Sequence, residues 1–287
     1  MLTTQEKESI LTQAYVPEHS VDLMTGVSGG EAFFADDYFF CRKGDWMIVV
    51  GYPLNDEFNV GEFDFFVTGL IKQFRPVQLS LVASEIPESL LVHSNEKDSD
   101  HYYILDLSTG DLSGRLRRIV RKASEKLSIE RADSMHEAHY LLIHEFIQRV
   151  GPPRRVERLL WQMPDYIQKQ SDGVVLNAWD DRQRLAAFYV VDTAPRYFST
   201  YVIGCHSRQN YVSGASDLLV YELIALSRES DKQYIHLGLG VNEGIRRFKK
   251  KWGGVPTRRY EMCEIRVRQP AVPETIKAYL NSARFIR

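Results

Sequence analysis

Cysteine is scarce in this chain. Only three occur among 287 residues, Cys41, Cys205 and Cys263, and they are far apart. An odd, scattered set argues against a disulfide framework and predicts a reducing, cytoplasmic location. An excess of one charge is also missing. The formal net charge of −2 gives the chain as a whole no electrostatic case for binding nucleic acid or a membrane. No apolar run approaches the roughly 20 residues that cross a bilayer, so no integral membrane segment is expected. The opening MLTTQEKESILTQAYVPEHS lacks the apolar h-region of a secretory signal. There is no G-x-S-x-G, CxxC or P-loop. His136, His139 and His144 share one predicted helix, but Gln148 stands where HExxH needs its second histidine. No metal is expected.

What is present is core material. Hydrophobic residues make up 44%, with fifteen Tyr and fourteen Phe, enough for one large domain or two ordinary ones. Residues 31–50 read as two strands, AFFADDYFFCRKG and DWMIVVGYPL. A helix from Phe63 to Phe74 follows, stopped by Arg75-Pro76. VQLSLVAS and HYYILDLS are rich in Val, Leu, Ile and Tyr and read as strands. LSGRLRRIVRKASEKL, residues 112–127, reads as a basic helix. Ser134 to Glu137 has the pattern of a capping box, with Ala138, Leu141, Leu142 and Phe146 predicted on one face of the helix it opens. Gly151-Pro152-Pro153 ends that helix, and Pro164 is expected to break the next.

Further on, VVLNAW and RLAAFYVVDT form a predicted hairpin around Asp180-Asp181, and YFSTYVIG is another strand. Ser216 to Ser230 is apolar almost all round and should be a buried helix. YIHLGLGV, a short helix capped by Asn242 and ending at Gly253-Gly254, and RRYEMCEIRV complete the chain.

Two segments repeat. GYPLNDEFNVGEFDFFVTGLI from Gly51 matches GCHSRQNYVSGASDLLVYELI from Gly204 at a constant offset. Gly61 and Gly214, Asp64 and Asp217, Val67 and Val220, Leu70 and Leu223, and Ile71 and Ile224 correspond. Each segment is strand, loop, glycine and buried helix, and each runs into a second strand. A duplicated unit explains this best.

That order, with Asn242-Glu243-Gly244-Ile245-Arg246-Arg247-Phe248-Lys249-Lys250-Lys251-Trp252-Gly253 after its second strand, resembles a GNAT acyltransferase domain. Asn242, Ile245, Lys249 and Gly253 fall at the marked places of N-x-x-A-x-x-x-Y-x-x-x-G, with Lys249 where tyrosine is usual. Phe248-Lys249 before Trp252-Gly253-Gly254 looks like the ending of Fem-type aminoacyl transferases. The C-terminal domain of lysyl-phosphatidylglycerol synthases is a further relative. The resemblance implies an α/β (α+β) class with a tandem GNAT-like fold, two mixed β-sheets flanked by helices. Residues 1–110 would be a degenerate N-terminal half and 111–287 the C-terminal acyltransferase domain.

The implied activity is acyl or aminoacyl transfer from an activated donor to an amine or hydroxyl acceptor. The donor would be an acyl-CoA or another activated acyl donor, with tRNA or acyl carrier protein as possible carriers. The acceptor would be a small molecule or a lipid. The alternative is a non-catalytic GNAT-shaped binding module that has lost its donor site. In this fold neighbouring strands splay to receive the donor, which points to Val202, Ile203, Gly238 and Gly240. Glycines there leave room for close approach, though a plain bulge needs them equally. Asn210 to Ala215 lies where GNAT enzymes carry Q/R-x-x-G-x-G/A, with Asn210 and Ser213 departing from the pattern. Ser213, Gly214, Ala215 and Ser216 would meet a phosphate at a helix N-terminus, or simply form a turn.

Asn242 and Phe248 join the donor set, and Lys249 is the catalytic candidate, an ammonium that stabilises an oxyanion or a phosphate. The plainer reading is a solvated charge run from Arg246 to Lys251. Arg115, Arg117, Arg118, Arg121, Lys122 and Lys126 likewise form either an anion-binding patch or a solvated face. For a general base, Glu222, Glu243 and His236 stay open.

Overall fold

The computed structural model describes residues 2–55, 57–108, 112–169 and 172–267. Residues 109–111, at the expected division of the chain, and everything after 267 lie outside the described residues. Helices α1 (Thr4–Gln13) and α2 (Val21–Ser28) flank a short 3-10 helix, Pro17–His19. Strands β1 (Glu31–Ala35), β2 (Tyr38–Lys43) and β3 (Trp46–Gly51) lead to α3 (Val60–Phe74), β4 (Gln78–Ala83), α4 (Glu88–Leu91) and β5 (Ser94–Asp106). The second part holds α5 (Gly114–Ser124), β6 (Leu127–Ala132), α6 (Glu137–Val150), α7 (Arg154–Lys169), β7 (Gly173–Asp180) and β8 (Leu185–Asp192). It continues with β9 (Phe198–His206), α8 (Ala215–Glu229), β10 (Tyr234–Leu239), α9 (Glu243–Lys251) and β11 (Val255–Arg266).

Local chemistry explains most boundaries. Asn59 caps α3 through bonds from the Gly61 and Glu62 amides, and Arg75 ends it in the left-handed region. Asp36 and Asp37, both at positive φ, split the first expected strand into the hairpin of β1 and β2. Pro164 does not break α7. It sits buried inside a continuous helix, where packing outweighs the lost backbone bond. The cap of α6 is His136 rather than Ser134, because the His139 ring takes the His136 amide at 2.9 Å. Leu141 points outward at 62% exposure, so Leu142 and Ile143 form the inner face of α6 in its place.

One sheet, not two, runs through the protein, in the order β1-β2-β3-β4-β11-β5-β10-β9-β8-β7-β6. The reason is an exchange of strands across the expected division. β5 leaves the first part to pair with β10, β11 leaves the second to pair with β4, and the two pair with each other. Their polar ends hid this. The stretch SNEKDSD has no apolar face, yet it is strand because β11 supplies a partner along its length.

The order β2-β3-β4-β11 matches β8-β9-β10-β5, as a duplication requires. The α3 helix covers one face with α5 and α8, through cores that include Phe63, Val67 and Cys263, and Leu219, Leu223 and Tyr103. The other face carries α1, α2, α6 and α7, over Tyr102, Tyr260, Phe188 and Val190. No helix among the described residues is long and apolar enough to cross a membrane.

Candidate functional site

The sheet opens at one place. β9 and β10 run parallel and pair at Phe198–Tyr234, Ser199–Ile235 and Thr200–His236, and then part. Two irregularities drive the parting. The register of β10 on β5 shifts between His236 and Leu239, with Gly238 at φ 71°. The register of β9 on β8 shifts between Ile203 and Tyr201, leaving Val202 as the extra residue. Bulges turn strand edges away from each other, so neither strand satisfies the other beyond the fork.

Lys249 sits at that fork. It is 6% exposed, and its Nζ donates to the Leu239 carbonyl and lies 5.6 Å from the centre of the Tyr103 ring. A side chain added at Gly238 would find Nζ at 3.9 Å and the Tyr201 carbonyl at 3.7 Å. Burial holds the Lys249 amine down to about 7, against the pull of the nearby Asp100 carboxylate. The charge run is therefore not one solvated face. Arg247 pairs with Glu243 at 3.0 Å, Arg246 faces Asp100 at 3.6 Å, and Lys251 pairs with Asp217. Lys250 is exposed.

The loop after β10 is held from the first part of the chain. Asp100, on β5, accepts the Val241 amide at 2.6 Å. Val241 is a branched residue at φ 57°, a conformation that costs energy and persists only where neighbours enforce it. Asn242 is exposed and caps α9 through the Ile245 amide at 3.0 Å.

The α8 end connects to the fork through two tyrosines. Tyr189 donates to the Ser216 carbonyl at 3.0 Å, and its ring meets Tyr201 edge-on at 4.7 Å. Gly214, at φ 86°, starts α8 with no side-chain cap. A side chain there would meet Ala123 at 3.1 Å and Ile119 at 3.4 Å on α5. In the first turn of α8, Asp217 accepts the Trp252 indole N–H at 2.9 Å.

The expected donor residues thus separate. Gly238, Gly240 and Lys249 gather at the fork, with Val202 half-buried on the opposing strand. Ser213 is exposed, Gly214 and Ser216 flank the helix start, and Phe248 packs on the α8 core under the Lys251 ammonium at 4.6 Å. Ile203 faces the α6–α7 core and Ala215 the α5–α8 core. Of the open base candidates, Glu222 is bound to Arg131 at 2.6 Å and Glu243 to Arg247. His236 is 1% exposed and held down to about 3 by burial and by Lys249 and Arg258. Sequence reading missed Asp100, Tyr103, Tyr189 and Tyr201. Their local patterns are those of ordinary strands, and only the strand exchange brings Asp100 and Tyr103 to the fork.

No protein-family model matches the chain, and no curated protein matches it significantly. Solved structures do. The C-terminal domain of a putative lysylphosphatidylglycerol synthetase from Agrobacterium fabrum is 15% identical, with a TM-score of 0.59 over 98% of this chain and 96% of that one. FemX is 11% identical, with a TM-score of 0.59 over 91% and 96%. A tandem GNAT protein from the clavulanic acid biosynthesis pathway is 11% identical, with a TM-score of 0.50 over 92% and 95%. At such identities the likeness is one of fold. This chain has the tandem GNAT-like fold shared by GNAT, Fem-type and lysylphosphatidylglycerol synthetase structures, with helices on a large mixed sheet.

Proposed function

We propose that the chain is a transferase that moves an acyl or aminoacyl group from an activated donor to an amine or hydroxyl acceptor in the cytoplasm. The donor is an acyl-CoA, acyl carrier protein or aminoacyl-tRNA, and the acceptor a small molecule or lipid. One observation carries this reading: a buried lysine, Lys249, at the fork where β9 and β10 part. Unpaired strand edges can hold an extended donor by its amides. With its amine held to about 7, Lys249 is present in both charge states near neutrality. As an ammonium it stabilises a developing oxyanion and can protonate the leaving group. A buried amine costs stability, and that cost is typical of a functional group rather than a structural one.

The surroundings favour a particular kind of carrier. Arg115, Arg117, Arg118, Arg121, Lys122 and Lys126 are exposed and carry no ion pair among the described residues. Their helix, α5, packs beside Gly214. The first turn of α8 already holds the Asp217 carboxylate, paired with Lys251. Phosphates spread along a carrier suit that arrangement better than a lone pyrophosphate on the α8 terminus. Asp217 also supports the alternative, a binding module without transfer, because it weakens that terminus as an anion site.

Thermal shift against acyl-CoAs, acyl carrier protein and aminoacyl-tRNA tests the reading. A donor at 100 times its Kd should add about 2.7 kcal/mol to native stability. The shift should shrink with salt if phosphates are held electrostatically. No shift with any of the three would overturn the proposal.

A further inference from the structure

The opposite face of the same fork holds a polar cluster that the reading above leaves unused. Tyr102 on β5 lies directly across from Leu239 on β10, the residue whose carbonyl Lys249 takes. Tyr102 packs in the core under α1 and α2, whereas Tyr103, beneath Lys249, packs under α5 and α8. Successive strand residues face opposite sides, so the two tyrosines mark the two faces of the fork. The Tyr102 ring meets His236 edge-on at 4.8 Å, and its hydroxyl donates to the Glu18 carboxylate at 2.8 Å.

Glu18 stands on the 3-10 helix Pro17–His19, half-buried over the sheet. It carries no ion pair among the described residues, and burial raises its carboxyl above the usual range. Tyr52 and Tyr260 border it, with Arg258 further along, against Tyr15. Thr200, the last β9 residue paired across the fork, is 2% exposed, and its hydroxyl has no hydrogen-bond partner among the described residues. It pairs with His236 and so shares the face of His236. A buried hydroxyl without a partner is costly and suggests a polar atom that is not part of the fold.

We infer that this face of the fork receives the acceptor, a primary amine, and that Glu18 is the base that takes its proton. The inference rests on the transferase reading and deepens it. A carboxylate with no cation beside it among the described residues is the natural counter-charge for an arriving ammonium, and it faces the fork from the side opposite Lys249. In the step, the bound ammonium first releases one proton to solvent; the neutral nitrogen then forms a bond to the acyl carbon, and the acyl bond to the carrier's sulfur or oxygen breaks. The nitrogen's proton goes to Glu18, and the departing sulfur or oxygen takes a proton from Lys249. Solvent restores both groups.

The test uses the full chain, with acetyl-CoA, an acyl carrier protein thioester and aminoacyl-tRNA as donors and ethylamine and putrescine as acceptor probes. Glu18→Gln keeps an oxygen for the Tyr102 hydroxyl but cannot accept the proton. It should lower amine-dependent kcat by about 100- to 10,000-fold, leave the donor-induced melting shift unchanged, and erase the acidic limb of the pH–rate profile. Glu18→Asp should restore that limb in part. Tyr102→Phe, which keeps the carboxylate, should retain it and so separates packing from proton transfer. A Gln variant with the parent's rate and pH profile sinks the role of Glu18 alone. A parent protein that binds a donor but acylates neither amine sinks the acceptor assignment. A parent that neither binds nor transfers removes the transferase reading and this inference with it.

Discussion

The two copies of the repeated unit treat the same strand pair differently. In the first, β3 and β4 stay paired through six consecutive positions, from Trp46–Gln78 to Gly51–Ala83. In the second, β9 and β10 pair at three positions and part. Register explains the contrast: β9 and β10 each carry an irregularity where they part, and the pairings of β3 and β4 carry none. A side chain added at Gly51 would strike the Phe63 ring at 2.5 Å and Ala83 at 2.7 Å, and one at its counterpart Gly204 would strike the Tyr189 ring at 2.6 Å, so both units are packed at this glycine. At Gly238 an added methyl would meet only the Tyr201 carbonyl and the Lys249 amine, at 3.7 and 3.9 Å. The duplication kept the packed unit twice and the opening once.

Removing the amine should give the largest effect. Lys249→Ala is expected to lower transfer roughly 100- to 1,000-fold with far-ultraviolet circular dichroism unchanged, in an assay with whichever donor binds. Lys250→Ala, at an exposed position of the same run, is the control. Lys251 is a poor one because it is paired with Asp217. Equal activity of the parent, Lys249→Ala and Lys250→Ala would reduce the open fork to a packing irregularity like any other.

The next effect is on stability and depends on pH. The folded amine titrates near 7, against 10.5 in the unfolded chain. Between those values the unfolded state binds a proton that the native state does not, so stability should rise with pH. Below about 7 that contribution is absent. Lys249→Met should therefore raise stability by about 3 kcal/mol at pH 6, with the gain shrinking toward pH 10. Urea denaturation at both pH values checks this. A pH-independent difference would mean that the amine is solvated.

Smaller still is the contrast between the glycines. Gly51→Ala should cost about 1–3 kcal/mol by overpacking and leave donor binding alone. Gly238→Ala should cost about 1–2 kcal/mol through its positive φ and also weaken the donor's melting shift. If both variants left that shift untouched, the donor would not lie in the fork.

Much of the fold could be read from local pattern. The α3 and α8 helices, their glycines and the strands beside them follow from periodicity, and Asn242 and Arg75 mark helix ends as their chemistry requires. The strand β6 was not legible, because LSIERA follows a basic helix with no turn signal and pairs only with β7. Half of β5 was lost for the same reason: its polar alternation has meaning only against β11. At the site, Gly238 and Lys249 could be picked out by position, but Asp100, Tyr102 and Glu18 could not. Nothing in SNEKDSDHYYILD or AYVPEHS announces that Glu18 and Tyr102 meet across 84 residues or that Asp100 and Val241 meet across 141.

The sequence by itself determined the repeated strand–helix–strand unit, because hydrophobic spacing and capping act over a few residues. It also placed a lysine on a short helix after a glycine-bearing strand. Tertiary structure decided that the last strands cross between the halves and fuse one sheet, that only the second fork opens, and that Lys249 is buried at it. Those outcomes depend on which distant groups surround a residue. Desolvation of an amine, like the pairing of a polar strand, is a property of neighbours brought together by folding and has no local signature in the chain.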